Sequence, residues 1–371
     1  MQFIDLKAQQ ARIKDKIDAN IQTVLSHGKY VMGPEVKELE SMLADYAGTK
    51  YAIGCSSGTD ALLMPLMAYD VKPGDAIFTV SFTFIATAEV IQLLGATPIF
   101  IDVEPDTFNM DVSQLEDAIL KVKKEGKLTP KGIIPVDLFG QPADYDEINE
   151  IAKKHGMFVL EDAAQGFGGV YKGKRAGSLA EVAGTSFFPA KPLGTYGDGG
   201  MIFTNDDEMA GKLDSIRVHG KGGDKYDNIR VGINGRLDTL MAAILLPKAE
   251  IFQEEIELRQ KVANRYSEML DGVVTTPYVK DHNTSAWAQY TLIHSDREKV
   301  IAGLKEDGIP VAVYYPKPLH MQTAFDHLGY KPEDLPVSNK LAGEVFSLPF
   351  YPYLPENDQD KIVASIKKHA K

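Results

Sequence analysis

Ser186-Phe-Phe-Pro-Ala-Lys191-Pro-Leu-Gly-Thr-Tyr-Gly-Asp-Gly-Gly200 sets one lysine just past an apolar, strand-like run that begins at Ala183. Lys191 stands between Ala190 and Pro192, and four glycines follow within nine residues. A solvated lysine ordinarily lies among polar neighbours. Here proline and glycine shape the backbone around an amine.

Upstream of this stretch, helical and strand-like segments alternate. Residues 9–26 and 35–47 read as amphipathic helices, and Gly58 to Ala68 as a third that opens on Ser57-Gly58-Thr59. Strands at Ala76–Val80, Thr97–Ile101, Gly132–Val136 and Met157–Leu160 alternate with helices at 86–94, 112–124 and 145–155. This βαβ rhythm predicts an α/β fold, a mainly parallel sheet with helices on both faces. Such sheets bind ligands at the carboxyl ends of their strands. Ser81-Phe-Thr-Phe84, Asp162 and Lys191 each follow a strand, so all three fall on one rim. Beyond Leu237 a long helical stretch runs to Leu270, broken by Pro247. Strands at Gln289–Ile293 and Val311–Tyr314 then alternate with helices at 297–307 and 356–369. A large domain over 1–250 and a smaller α+β domain over 251–371 are expected.

The 371 residues, 44% hydrophobic and 25% charged, are those of a globular chain with room for a large core. A net charge of −12 argues against nucleic acid or an anionic membrane as the main partner. One cysteine, Cys55, excludes an internal disulfide and suits a reducing compartment. Neither a signal-peptide pattern nor a spanning apolar run is present in the sequence, so a cytoplasmic location is expected.

Three motifs lead elsewhere and fail. Gly168-Gly-Val-Tyr-Lys-Gly-Lys174 fits GxxxxGK, but Arg175 stands where a P-loop needs a hydroxyl, and the segment reads better as a hairpin. No GxGxxG joins a strand to a helix, and the eight histidines show no metal spacing. What remains is an amine and a carboxylate on one rim, the two fixed contacts a pyridoxal phosphate (PLP) enzyme requires. The lysine binds the aldehyde, and the aspartate keeps the pyridine nitrogen protonated. Ser57-Gly58-Thr59, opening a helix, offers amides and hydroxyls to the phosphate, and Ser186 a further hydroxyl. Each has a plainer reading: Asp162 as the cap of a helix starting at Ala163, Ser57 as an ordinary cap, Lys191 as a strand-end lysine. Their order along one rim favours the cofactor.

Gly58-Thr-Asp-Ala-Leu62, Glu161-Asp-Ala-Ala-Gln165, Ser186 to Gly194, Gly197-Asp-Gly-Gly200 and Asn234-Gly-Arg-Leu-Asp238 resemble the signature blocks of the DegT/DnrJ/EryC1/StrS sugar aminotransferases. The resemblance runs in order from Phe3 to the Ser347-Leu-Pro segment. It implies the PLP-dependent transferase fold type I, with Lys191 as the covalent anchor and Asp162 as the partner of the pyridine nitrogen. It further implies that Gln165 meets the cofactor's phenolic oxygen, that Gly58, Thr59 and Ser186 hold the phosphate, and that Phe84 lies over the ring. Asn234 would reach the phosphate of a neighbouring subunit, which implies a homodimer with shared sites. Without the family, Phe84 reads as a core residue and Asn234 as a helix cap.

The implied reaction moves an amino group from L-glutamate, leaving 2-oxoglutarate, to a nucleotide-linked keto-sugar. The likeness is greatest to enzymes acting at C-3 of UDP-2-acetamido-2-deoxy-3-oxo-D-glucuronate for O-antigen-type glycans, and Gln165 agrees with C-3 chemistry. The alternatives are a C-4 enzyme, a sugar dehydratase and a non-catalytic regulatory relative. Arg236 is the candidate for the sugar carboxylate, with a pair to Asp238 as its plainer role. Tyr315 and His320 are expected to border the substrate.

Overall fold

The computed structural model describes residues 1–224 and 226–371. Helix α1 (Leu6–His27) starts where Asp5 accepts the amides of Lys7 and Ala8, and α2 (Pro34–Ala47) opens on a proline. Strand β1 (Tyr51–Cys55), α3 (Gly58–Ala68), β2 (Asp75–Val80), α4 (Ala86–Leu93), β3 (Thr97–Ile101) and α5 (Val112–Glu125) follow. Next come β4 (Thr129–Ile134), α6 (Tyr145–His155) and β5 (Phe158–Asp162). The pair β6 (Val170–Tyr171) and β7 (Lys174–Arg175) is the hairpin expected in place of a P-loop, turning through Lys172 and Gly173, both at positive φ. β8 (Val182–Ser186), β9 (Gly200–Thr204) and α7 (Asp207–Ile216) complete this part.

Seven strands form one sheet in the order β1-β9-β8-β5-β4-β2-β3. β9 runs antiparallel to both neighbours and the remaining pairs are parallel. β2, β5, β8 and β9 are buried at every residue, as a sheet covered on both faces demands. Phe78, Ile133 and Val159 point to the α5–α6 side, where Leu115, Ile119 and Ile148 meet them. Ile77, Leu160 and Ile202 point to the other, against Leu62, Val90 and Leu213 of α3, α4 and α7. The expected α/β architecture is therefore the observed one.

Helix α8 (Thr239–Leu270) runs on from this core, and its course corrects two expectations. It starts two residues late, because Asp238 is extended and bridges Val31. It also passes through Pro247 unbroken. Proline cannot donate to the Ala243 carbonyl, and Nδ2 of Asn20 in α1 does so instead, at 3.1 Å.

Leu245, Leu246 and Phe252 of α8 pack with the large sheet, whereas Val262, Tyr266 and Leu270 pack with a second core. The boundary expected at residue 250 falls inside this helix. After β10 (Asn283–Thr284), the second core is built from β11 (Tyr290–Ile293), α9 (Arg297–Glu306), α10 (Pro336–Glu344), β12 (Val345–Leu348) and α11 (Glu356–His369). The partner of β11 is β12, not the strand expected at Val311–Tyr314. That segment makes a single bridge, Ala312 with Ser347, and then leaves the small sheet to carry Tyr315 to the large one.

Candidate active site

Because β9 runs back between β1 and β8, strands β1, β8, β5 and β2 all end on the same edge. Gly200, opening β9, is in register with Cys55 on one side and Ser186 on the other. A Cβ on Gly200 would lie 2.3 Å from the Ser57 carbonyl oxygen, and one on Gly58 2.5 Å from Ser186 Cβ. The Ser57 turn and the end of β8 are pressed together, and only glycine fits at both contacts. Ser57 Oγ accepts the Asp60 amide at 3.0 Å and the Ser57 carbonyl accepts that of Ala61. Among the described residues this leaves the Gly58 and Thr59 amides for an outside acceptor at a helix N-terminus. Ser186 Oγ accepts the Phe188 amide at 3.2 Å, which keeps its own proton available. This donor set and cradle fit a phosphate. Ser57 is thus a helix cap as well, the two readings being compatible.

The turn that carries Lys191 is tied down on both sides. The Lys191 amide donates to the Phe188 carbonyl at 2.9 Å and the Thr195 amide to that of Phe187 at 2.8 Å. Asp162, 4% exposed, ends β5. Its Oδ2 accepts from Thr87 Oγ1 of α4 at 2.7 Å and its Oδ1 from the Ala164 amide at 3.1 Å. No helix starts at Ala163, so the capping reading of Asp162 fails. Burial pushes the Asp162 carboxyl above its ordinary range, opposed by the Thr87 and Ala164 bonds and by Lys191. Burial likewise pushes the Lys191 ammonium down, opposed by Asp162. The rim thus holds an amine that loses its proton readily and an acid that accepts one, the pairing asked of a nucleophile and of a pyridine-nitrogen partner.

Gln165 is 4% exposed, and the Phe139 amide donates to its Oε1 at 2.8 Å. Its Nε2 therefore faces outward and donates to the Tyr315 hydroxyl at 3.0 Å. Burial raises the Tyr315 phenol, so it stays neutral and offers its proton to the rim. Phe84 is not a core residue: it is 53% exposed, with its ring centroid 6.3 Å from that of Tyr315. His320 lies beneath the rim, 2% exposed, and its Nδ1 pairs with Ser81 Oγ at 2.6 Å while its own amide donates to the same oxygen. It supports the Ser81–Phe84 segment from behind. Burial lowers its pKa.

Asn234 is exposed and bridges Val218, so it caps no helix. Arg236 donates to Asn234 Oδ1 at 2.6 Å and not to Asp238. The Arg236 backbone bridges Cys55, which sets this segment beside the end of β1. Cys55 is fully buried, and burial raises its thiol far above the reactive range, as a filler residue requires. Thr83 and Thr87 were missed by sequence reasoning, although two threonines four apart just past a rim strand are a usable signal. Thr83 Oγ1 lies 3.3 Å from Thr87 Oγ1 and extends the bond to Asp162. A concavity of about 870 Å³ between Gly272–Thr275 and α10 lies away from all these groups.

The model of the DegT/DnrJ/EryC1/StrS aminotransferase family matches residues 11–367. The chain is 56% identical, over 95% of its length and 96% of the relative's, to UDP-2-acetamido-2-deoxy-3-oxo-D-glucuronate aminotransferase of Pseudomonas aeruginosa. It is 44% identical, over 98% and 97%, to a pleiotropic regulatory protein of Geobacillus stearothermophilus. A crystal structure of a DegT DnrJ EryC1 StrS aminotransferase from Brucella abortus covers all of both chains, with a TM-score of 0.98 and 52% identity.

Proposed function

Since this chain belongs to the DegT/DnrJ/EryC1/StrS aminotransferase family, we propose that it moves an amino group from L-glutamate to C-3 of UDP-2-acetamido-2-deoxy-3-oxo-D-glucuronate. It is a PLP-dependent enzyme, as the aminotransferases of this family are. The observation that carries the reading is the convergence of Lys191, Asp162 and the Gly58–Ser186 cradle on one strand edge. The choice of sugar rests on the 56% relative.

When bound, PLP supplies an electron sink for a carbanion beside the transferred nitrogen. Gly58, Thr59 and Ser186 would hold its phosphate, and Asp162, steadied by Thr87, would keep a proton on the ring nitrogen. Phe84 would cover the ring, and the Gln165–Tyr315 pair would offer a hydroxyl proton to the phenolic oxygen. Lys191, its basicity reduced by burial, would be the residue that bonds the aldehyde, and its free amine would serve as the acid-base group at the substrate carbon. Arg236, paired with Asn234, would take the carboxylate of the sugar bound in the partner's site. Asn234 is offered outward to a second copy, which makes the working unit a homodimer with shared sites. Exposed Phe84, Phe188, Tyr30 and Val31 around this edge support such a partner. The regulatory name of the 44% relative does not displace this reading, because a sensor would not need a buried acid close to a half-buried amine.

Borohydride reduction of the yellow protein should fix the cofactor on Lys191, and the pyridoxamine form should regain colour with the 3-keto-uronate ahead of 4-keto-6-deoxy sugars. A label on another residue, or preference for a 4-keto sugar, would reject the anchor or the substrate respectively.

A further inference from the structure

We propose that Lys248 is the positioning residue for Lys191: its ammonium holds the Gly194 carbonyl and so fixes where the lysine turn stands at the rim. The inference rests on the reading of Lys191 as the covalent anchor. Lys248 lies in α8 and is 1% exposed. Its Nζ donates to the Gly194 carbonyl at 2.6 Å and stands 4.3 Å from the centroid of the Tyr196 ring. Both partners belong to the loop that carries Lys191, one on each side of Thr195. Thr195 Oγ1 itself donates to the Met241 carbonyl at 3.2 Å, so helix and loop are joined at three successive residues.

Stability alone gives little reason for a cation here. Among the described residues no carboxylate pairs with Lys248. Glu255, the acid on the same helix whose charge favours the ammonium, spends its oxygens on Gln9 at 2.7 Å and Tyr353 at 2.6 Å. Burial brings the Lys248 ammonium down to about 8, against the ordinary 10.5. A methionine would fill the same space without that desolvation penalty. What only the lysine supplies is a directed hold on a carbonyl three residues past Lys191. Gly194 is what lets the loop fold that tightly, since a Cβ there would meet the Pro189 carbonyl oxygen at 2.5 Å.

The test separates PLP, which bonds Lys191, from pyridoxamine phosphate, which occupies the same contacts without that bond. Apo-protein carrying Lys248→Met should lose at least about tenfold more affinity for PLP than for pyridoxamine phosphate, the scale of one charged hydrogen bond, and its borohydride labelling at Lys191 should slow. Equal weakening of both ligands, or no change in either, overturns the positioning role and leaves Lys248 as core. Should Lys248→Met fail to fold, Lys248→Gln gives the same readout, because its amide stays polar but is too short to reach Gly194. A wild-type protein that takes no label at Lys191 would overturn the anchor assignment first, and this inference with it.

Discussion

Replacing Gly58 by alanine tests the phosphate cradle at its narrowest point. The added methyl would lie 2.5 Å from Ser186 Cβ and 2.8 Å from its Oγ. Carbon atoms in contact sit at about 3.5–4.0 Å, so the Ser57 turn and the end of β8 must part by about 1 Å. Overpacking of this kind costs about 1–3 kcal/mol, offset by up to about 1 kcal/mol gained when glycine is replaced in a helix. The apo-protein should therefore lose about 0–3 kcal/mol. Binding should suffer more, since a displaced Ser186 forfeits a hydrogen bond to a charged group worth about 1.5–3 kcal/mol, roughly 10- to 150-fold in PLP affinity. Gly211→Ala is the control. It lies in α7 with nothing within 4 Å of its added methyl, and should gain about 0.5–1 kcal/mol without touching PLP. Absorbance titration of the two apo-proteins, with urea melts of each, reads both quantities. PLP affinity of a folded Gly58→Ala protein within twofold of wild type would refute the cradle.

Two further outcomes follow from the geometry. Asp137 and Glu161 are adjacent and fully buried; burial raises both carboxyls, that of Glu161 to about 7, and Glu161 raises Asp137 further. The native protein thus keeps protons that the unfolded chain releases, and stability falls as pH rises from about 4.5 to 7. Asp137→Asn, which removes the Asp137 titration and leaves Glu161 and Tyr145 in place, should shrink that fall in urea melts; an unchanged pH slope would contradict a raised Asp137 carboxyl. Arg236→Met should raise KM for the uronate sugar about 30-fold and leave that for the matching non-carboxylated sugar near wild type. Co-expressed with Lys191→Ala, it should yield mixed dimers with one intact site, and an equal KM rise on both sugars, or no rescue, would count against Arg236 or against sharing.

What was legible in the sequence follows from where each constraint acts. Lys191 and Asp162 could be found because Asp162 ends, and Lys191 follows, a strand whose residues are buried on both faces, and such strands tend to be apolar runs. The Ser57 turn was legible because helix starts use a small vocabulary of residues. Strand β9 was hidden by Gly199 and Gly200, before and at its start, and β12 by its place at the end of α10, where propensity marks no boundary. The unbroken α8 could not be read locally, since the donor that replaces the proline amide is Asn20, in another helix. Lys248 was missed for the same reason: it owes its role to Gly194, distant in sequence, and nothing in its immediate neighbours marks it out.

The glycines after Lys191 invite a reading as flexibility, and their backbone argues otherwise. Gly194, Gly197, Gly199 and Gly200 are all absent from the positive-φ residues, so none is there for a conformation that other residues avoid. Gly194, Gly199 and Gly200 are there for the missing Cβ, and Gly197 has only a mobile side chain against it. Gly194 would strike the Pro189 carbonyl, Gly197 would crowd the Met241 sulfur at 3.1 Å, Gly199 would press on Leu237 at 2.9 Å, and Gly200 would meet the Ser57 carbonyl. The segment is packed on four sides by groups from the loop itself, α8, the approach to α8 and the phosphate turn. A loop held that closely cannot carry an amine between two carbons by moving its backbone. The travel that transamination asks of Lys191 must come from its side-chain torsions, pivoting on a Cα fixed by contacts that only glycine permits.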